Sequence, residues 1–111
     1  MYGYHGKMLW VDLTQKRVDI RNIDEDVFEK YLGGSGLCAK IVMEETDEKT
    51  DPLGPENVLV AFTGPFTGTG VPAGSRHHMM ARSPLTGLLG ESNVGGSWAV
   101  HFKATGFDGI A

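Results

Sequence analysis

The sequence predicts an α+β fold, a mixed or antiparallel sheet with two or three short helices. Three observations lead there. Two strand-like runs, at residues 7–13 and 16–23, stand two residues apart, the spacing of a hairpin. Two stretches of helical period follow between residues 24 and 45. Past residue 57, short apolar or mixed runs alternate with turns rich in glycine and proline.

Each element can be justified in order. In the second run, Val18 and Ile20 alternate with charged residues at period two. Asp24 is placed to cap a helix reaching about Tyr31, with Glu25 and Asp26 in its first turn and Val27, Phe28 and Tyr31 on one face. Gly33-Gly34 should end it. Ser35 is the expected cap of a second helix with Leu37, Cys38, Ile41 and Val42 as its apolar face. Residues 58–62, Val-Leu-Val-Ala-Phe, read as a buried strand, and residues 63–75 as an irregular loop. Residues 76–82 and 88–92 read as strands joined by the turn Ser83-Pro84-Leu85-Thr86-Gly87. The loop Asn93-Val94-Gly95-Gly96 leads into a short helix at 97–104, with Trp98 and Phe102 four apart. After a turn at 106–109, Ile110-Ala111 reads as the start of a strand. The Pro-x-Thr-Gly element at 65–68 recurs at 84–87, which two similar turns explain.

A chain of 111 residues holds one domain. Ten basic side chains against fourteen acidic ones, net −4, argue against a general nucleic-acid binder. A single cysteine, Cys38, excludes an internal disulfide, a four-cysteine zinc site and a self-contained iron–sulfur cluster. No apolar run is long enough for a membrane helix and the first residues lack a signal core, so the expected setting is cytoplasmic.

Charge is unevenly placed. Residues 1–57 hold seven bases and twelve acids, whereas residues 58–111 hold Arg76, Arg82 and Lys103 against Glu91 and Asp108 alone. The second half also carries ten of the sixteen glycines. Glycine lets backbone N–H groups approach a ligand, and few carboxylates are present to repel an anion. Within it, Arg76 offers a planar, permanently charged donor. Gly95 and Gly96 stand before a predicted helix N-terminus, where free N–H groups face an anion. Asn93 can offer its side chain or its carbonyl to a ligand or a cation. Other motifs carry less. Two segments fit Gly-x-Gly-x-x-Ala, at 34–39 and 68–73, but neither sits between a strand and a helix. His77 and His78 point to opposite faces of a strand, poor geometry for one metal; His101 would allow some other arrangement, but ordinary surface or core histidines are the simpler reading. Cys38 lies on an apolar helix face and reads as structural.

Six motifs in order then resemble a known family. They are Gly33-Gly-x-Gly-Leu37, Asp51-Pro-Leu-x-Pro-Glu-Asn57, Gly64-Pro-x-Thr-Gly-Thr69, Ser83-Pro-Leu-Thr-Gly87, Asn93-x-Gly-Gly96 and Gly106-x-Asp-Gly-Ile110. Together they are similar to the N-terminal domain of the tungsten-containing aldehyde:ferredoxin oxidoreductases, from about Gly6 to the last residue. The resemblance implies an enzyme that oxidises aldehydes to carboxylic acids and passes electrons through a [4Fe–4S] cluster to ferredoxin. It implies a tungsten or molybdenum centre held by two pterins, a tungstopterin, with this domain as its base. It carries pterin binding onto Arg76, Asn93 and Gly95, and a magnesium contact onto the Asn93 carbonyl. Gly96 is added on the helix-terminus argument. No catalytic residue falls in this segment.

The family's domain is about twice as long and built of two intertwined repeats. Residues 1–111 are therefore expected to be that domain incomplete at its C-terminal end, inactive alone, with the remaining domains of the enzyme as partners. An exposed apolar edge or face should drive a homo-oligomer. The alternatives are a stand-alone anion- or nucleotide-binding module and a non-catalytic partner subunit.

Overall fold

The expected hairpin forms as β1 (Lys7–Asp12) and β2 (Arg17–Asn22), antiparallel with Lys7 opposite Asn22. The structure, a computed structural model, describes residues 2–111. Helices α1 (Glu25–Tyr31) and α2 (Gly34–Glu45) follow, then β3 (Val60–Thr63), the hairpin β4 (His77–Arg82) and β5 (Leu89–Val94), α3 (Trp98–Ala104) and β6 (Gly109–Ile110). The strand order is β2-β1-β6-β3-β4-β5. Strand β6 enters the middle of the sheet, parallel to β1 and antiparallel to β3, which makes the sheet mixed. Ala111 extends that seam: its N–H donates to the Leu9 carbonyl at 3.0 Å and its carbonyl accepts from Val11 at 2.7 Å. The fold class is the one the sequence predicts. Among the described residues no helix is long and apolar enough to cross a membrane.

Pleat alternation puts Met8, Val60, Phe62 and Met80 on one face of the sheet, and Phe28 of α1 with Leu37, Cys38, Ile41 and Val42 of α2 packs onto them. Cys38 is fully buried, and its thiol donates to the His78 carbonyl at 3.3 Å. Burial pushes the thiol up to about 12, so it is structural and inert. The opposite face is apolar and largely open. Val18 and Ile20 are about 60% exposed. A groove of about 840 Å³ runs beside Val11, Leu59, Ala61, Met79 and Ile110.

Several local expectations need correction. Gly33, not Ser35, caps α2, and no side chain bonds there. The reason is crowding. A Cβ at Gly33 would lie 3.0 Å from the Thr63 carbonyl oxygen, and one at Gly36 only 2.2 Å from that of Tyr31. The chain therefore turns from α1 into α2 on glycine, and Ser35 falls inside the first turn. Leu32, with φ 62°, ends α1 ahead of the expected glycine pair. Tyr31 is exposed rather than packed with Phe28. The two Pro-x-Thr-Gly turns also differ. Thr67 is buried and its hydroxyl bonds the Gly64 N–H and the Gly74 carbonyl, tying loop 64–76 into a knot. Thr86 stays exposed in the β4–β5 turn.

Two charged residues hold the N-terminal arm against this frame. Buried Asp108 accepts from the backbone N–H groups of His5 at 2.9 Å and Gly6 at 2.8 Å. Buried Lys103 donates to the carbonyls of Gly3 and Gly64, both at 2.6 Å. Burial pulls the Lys103 ammonium below the usual lysine range, and the nearby Asp108 carboxylate partly offsets this. Lys103→Met keeps the volume but leaves the Gly3 carbonyl without this donor and the Gly64 carbonyl with only the Thr67 N–H at 3.3 Å, so it is expected to cost about 1–3 kcal/mol in a chemical denaturation experiment. An unchanged midpoint would show that water replaces the ammonium at no cost.

Candidate anion-binding site

The β4–β5 hairpin builds the site. The turn at Ser83–Gly87 closes with the Ser83 N–H donating to the Leu88 carbonyl at 2.7 Å, and this fixes the register. His78 then faces Asn93 and Met80 faces Glu91 across the two strands. Asn93 and Val94 thus belong to β5, not to the loop the sequence suggests, and the connection to α3 shrinks to Gly95, Gly96 and Ser97. Arg76 lies just outside β4, one residue before its start.

All four candidate residues come together. The Arg76 Nε–H donates to Asn93 Oδ1, and Nη2 donates to the Asn93 carbonyl at 3.3 Å. One edge of the guanidinium is therefore clamped to a single asparagine. Both N–H groups on Nη1 and one on Nη2 bond to nothing else among the described residues. Gly95 lies against that free edge: a Cβ there would sit 3.2 Å from Arg76 Nη1. Gly96 has φ +100°, a conformation glycine favours, and its carbonyl accepts from the Ser75 hydroxyl. Arg76, Asn93, Gly95 and Gly96 are all exposed. The result is a fixed cation, open on one side, flanked by backbone with no side chain in the way.

The electrostatics favour an anion, but the helix contributes less than the sequence suggests. Helix α3 has only seven residues, and Ser97 stands between it and Gly96. Arg76 supplies the charge. The Glu91 carboxylate is engaged: its Oε2 lies 2.9 Å from His78 Nε2, and His78 Nδ1 lies 3.3 Å from Asn93 Nδ2.

The remaining candidates separate. His77 points to the opposite face, where Trp98 tilts over its ring at 4.4 Å and Phe102 stacks on Trp98 at 4.8 Å. Its Nδ1 is buried without a partner, and burial pulls its pKa down. His101 is exposed on α3, and no group of three metal-ligating side chains exists among the described residues. Any cation here would need backbone or ligand oxygens. The segments 34–39 and 68–73 lie on the start of α2 and in the 64–76 loop, so neither makes a dinucleotide turn. Sequence reading missed His78 and Glu91. The hairpin turn held the signal, because counting back from Ser83 and Leu88 pairs 78 with 93.

A family model described as "Aldehyde ferredoxin oxidoreductase, N-terminal domain" matches residues 8–111. The tungsten-containing aldehyde ferredoxin oxidoreductase of Thermococcus kodakarensis is 40% identical over 110 residues, covering 99% of this chain and 18% of that protein. The aliphatic sulfonate oxidoreductase, WOR-like subunit, of Pyrococcus furiosus is also 40% identical, again over 18% of its length. Among solved structures, the active-site complex BamBC of benzoyl coenzyme A reductase superposes with a TM-score of 0.95 at 36% identity, covering 98% of this chain and 17% of that one. The chain spans about 18% of the length of the curated relatives it matches. With the match running from β1 to the last residue at this level of identity, the chain belongs to the aldehyde ferredoxin oxidoreductase N-terminal domain family.

Proposed function

We propose that this chain is part of the base on which a tungsten bis-pterin cofactor sits in an aldehyde oxidoreductase. The clamped guanidinium carries the proposal: Arg76, held edge-on by Asn93, packed against Gly95 and exposed with its remaining N–H groups unbonded, suits a phosphate oxygen. Gly95 lets the guanidinium lie against the backbone, since a Cβ there would stand 3.2 Å from Arg76 Nη1. When bound, the cofactor supplies two-electron redox chemistry at tungsten or molybdenum, which turns an aldehyde into a carboxylic acid. The residues here bind and orient. Arg76 neutralises phosphate charge, Asn93 fixes Arg76, and Gly95 with Gly96 keeps the approach open. The Asn93 carbonyl, which accepts one long bond from Arg76, has a second lone pair for a magnesium ion.

The domain is completed by chain beyond this segment, and the other domains of a cytoplasmic enzyme cover its open apolar face. Alone, the segment is inactive and covers that face with a second copy. The [4Fe–4S] ligands and the ferredoxin contact lie outside it: its single cysteine, Cys38, is buried on the core-facing side of α2. Relatives named for aldehydes and for sulfonates are each 40% identical to this chain, which supports substrate choice resting with the other domains.

The test is the tungsten and pterin content of the protein purified from its native gene. Near-stoichiometric metal with pterin is expected. A protein free of both would remove the proposal.

A further inference from the structure

We propose that His78 and Glu91 are positioning residues that hold the Arg76–Asn93 clamp in its anion-binding form, an inference that rests on the anion-site reading above. His78 sits in an apolar row. Its strand neighbours on the helix-covered face are Phe62 and Met80, and its Cβ lies 3.9 Å from where a Cβ on Gly34 would be. A buried imidazole is costly there unless both nitrogens are bonded. Both are: Nε2 to Glu91 Oε2 at 2.9 Å and Nδ1 to Asn93 Nδ2 at 3.3 Å.

The donor and acceptor roles allow one solution. Asn93 Nδ2 can only donate, so His78 Nδ1 accepts and carries no proton. The ring proton is then on Nε2, where the Glu91 carboxylate accepts it. Glu91 therefore selects the tautomer, and the tautomer selects the orientation of the Asn93 amide. In that orientation Oδ1 faces the Arg76 Nε–H. With the amide turned over, Nδ2 would face a guanidinium donor and Oδ1 would face an imidazole acceptor, and both bonds would be lost. Arg76 would keep only its 3.3 Å bond to the Asn93 carbonyl and would leave its place against Gly95. A carboxylate beside an anion site is otherwise a liability. Bonded to His78, Glu91 serves the site from behind.

The test uses the isotope-labelled 111-residue chain and reads the ring nitrogens of His78 and the Nε–H of Arg76 by NMR. The expected result is the Nε2–H tautomer and a slowly exchanging Arg76 Nε–H. Glu91→Ala should speed that exchange by about tenfold, the loss of roughly one charge-assisted bond. Glu91→Gln, which still offers a carbonyl oxygen, should restore the slow rate. An Nδ1–H tautomer, or exchange unchanged in Glu91→Ala, overturns the proposal. In the tungsten enzyme, His78→Leu should lower pterin retention by less than Arg76→Ala does. If Arg76→Ala lowers retention and His78→Leu does not, the positioning role fails while the anion site stands. If Arg76→Ala has no effect, the anion site fails, and the positioning role fails with it.

Discussion

Gly109→Ala is expected to lower the Tm of the chain by on the order of 15 °C or to prevent folding. Gly109 lies in β6, between Met8 of β1 and Phe62 of β3. A Cβ there would stand 2.5 Å from Phe62 Cε2 and 2.6 Å from Cδ2 and Cζ. Phe62 cannot yield, because it is fully buried in the core that α2 closes. Overpacking a close-packed interior costs about 1–3 kcal/mol and more when the neighbour is pinned. For a chain of this size each kcal/mol shifts Tm by roughly 4–8 °C. The clash has one partner, so Gly109→Ala with Phe62→Leu should recover part of the loss. Thermal unfolding by circular dichroism checks both. A single variant as stable as the parent would mean that β6 sits elsewhere in the sheet.

Arg76→Ala, in the full enzyme carrying this segment, is expected to strip most of the pterin and its metal. The guanidinium keeps one edge on Asn93 and leaves its other N–H groups free for a ligand. Two charge-assisted bonds to phosphate, at about 1.5–3 kcal/mol each, amount to a hundredfold or greater change in dissociation. Arg76→Lys should retain charge without the fork and fall between. Folding should be unaffected, since Arg76 is exposed. Pterin fluorescence and elemental tungsten per polypeptide give the answer, and full occupancy in Arg76→Ala would remove Arg76 from the site.

Local pattern made the hairpin, both early helices and the Trp98–Phe102 pair legible, because each rests on neighbours in sequence. The hydrophobic stripe of α2 was readable at Leu37, Cys38, Ile41 and Val42, and all four are buried. The central place of β6 is not, because its partners lie about a hundred residues away in β1 and about fifty in β3, and only the size of Gly109 admits it there. Lys103 and Asp108 were equally hidden. A lysine on a short helix says nothing of the two distant carbonyls it will reach. At the site, Arg76, Asn93, Gly95 and Gly96 were named from charge, glycine content and resemblance. Asn93 was expected in a loop, because Val94 alone gives a short polar run little strand character. His78 reads as an ordinary histidine in the sequence because its partner, Asn93, lies across the hairpin and not among its sequence neighbours.

The most direct measurement is a crystal structure of the enzyme with its cofactor bound. Pterin phosphate oxygens are expected within about 2.7–2.9 Å of the Arg76 guanidinium, with Gly95 still against the guanidinium and Asn93 still holding its other edge. A bound pterin whose phosphates are held by other residues, with Arg76 facing solvent, would contradict this arrangement.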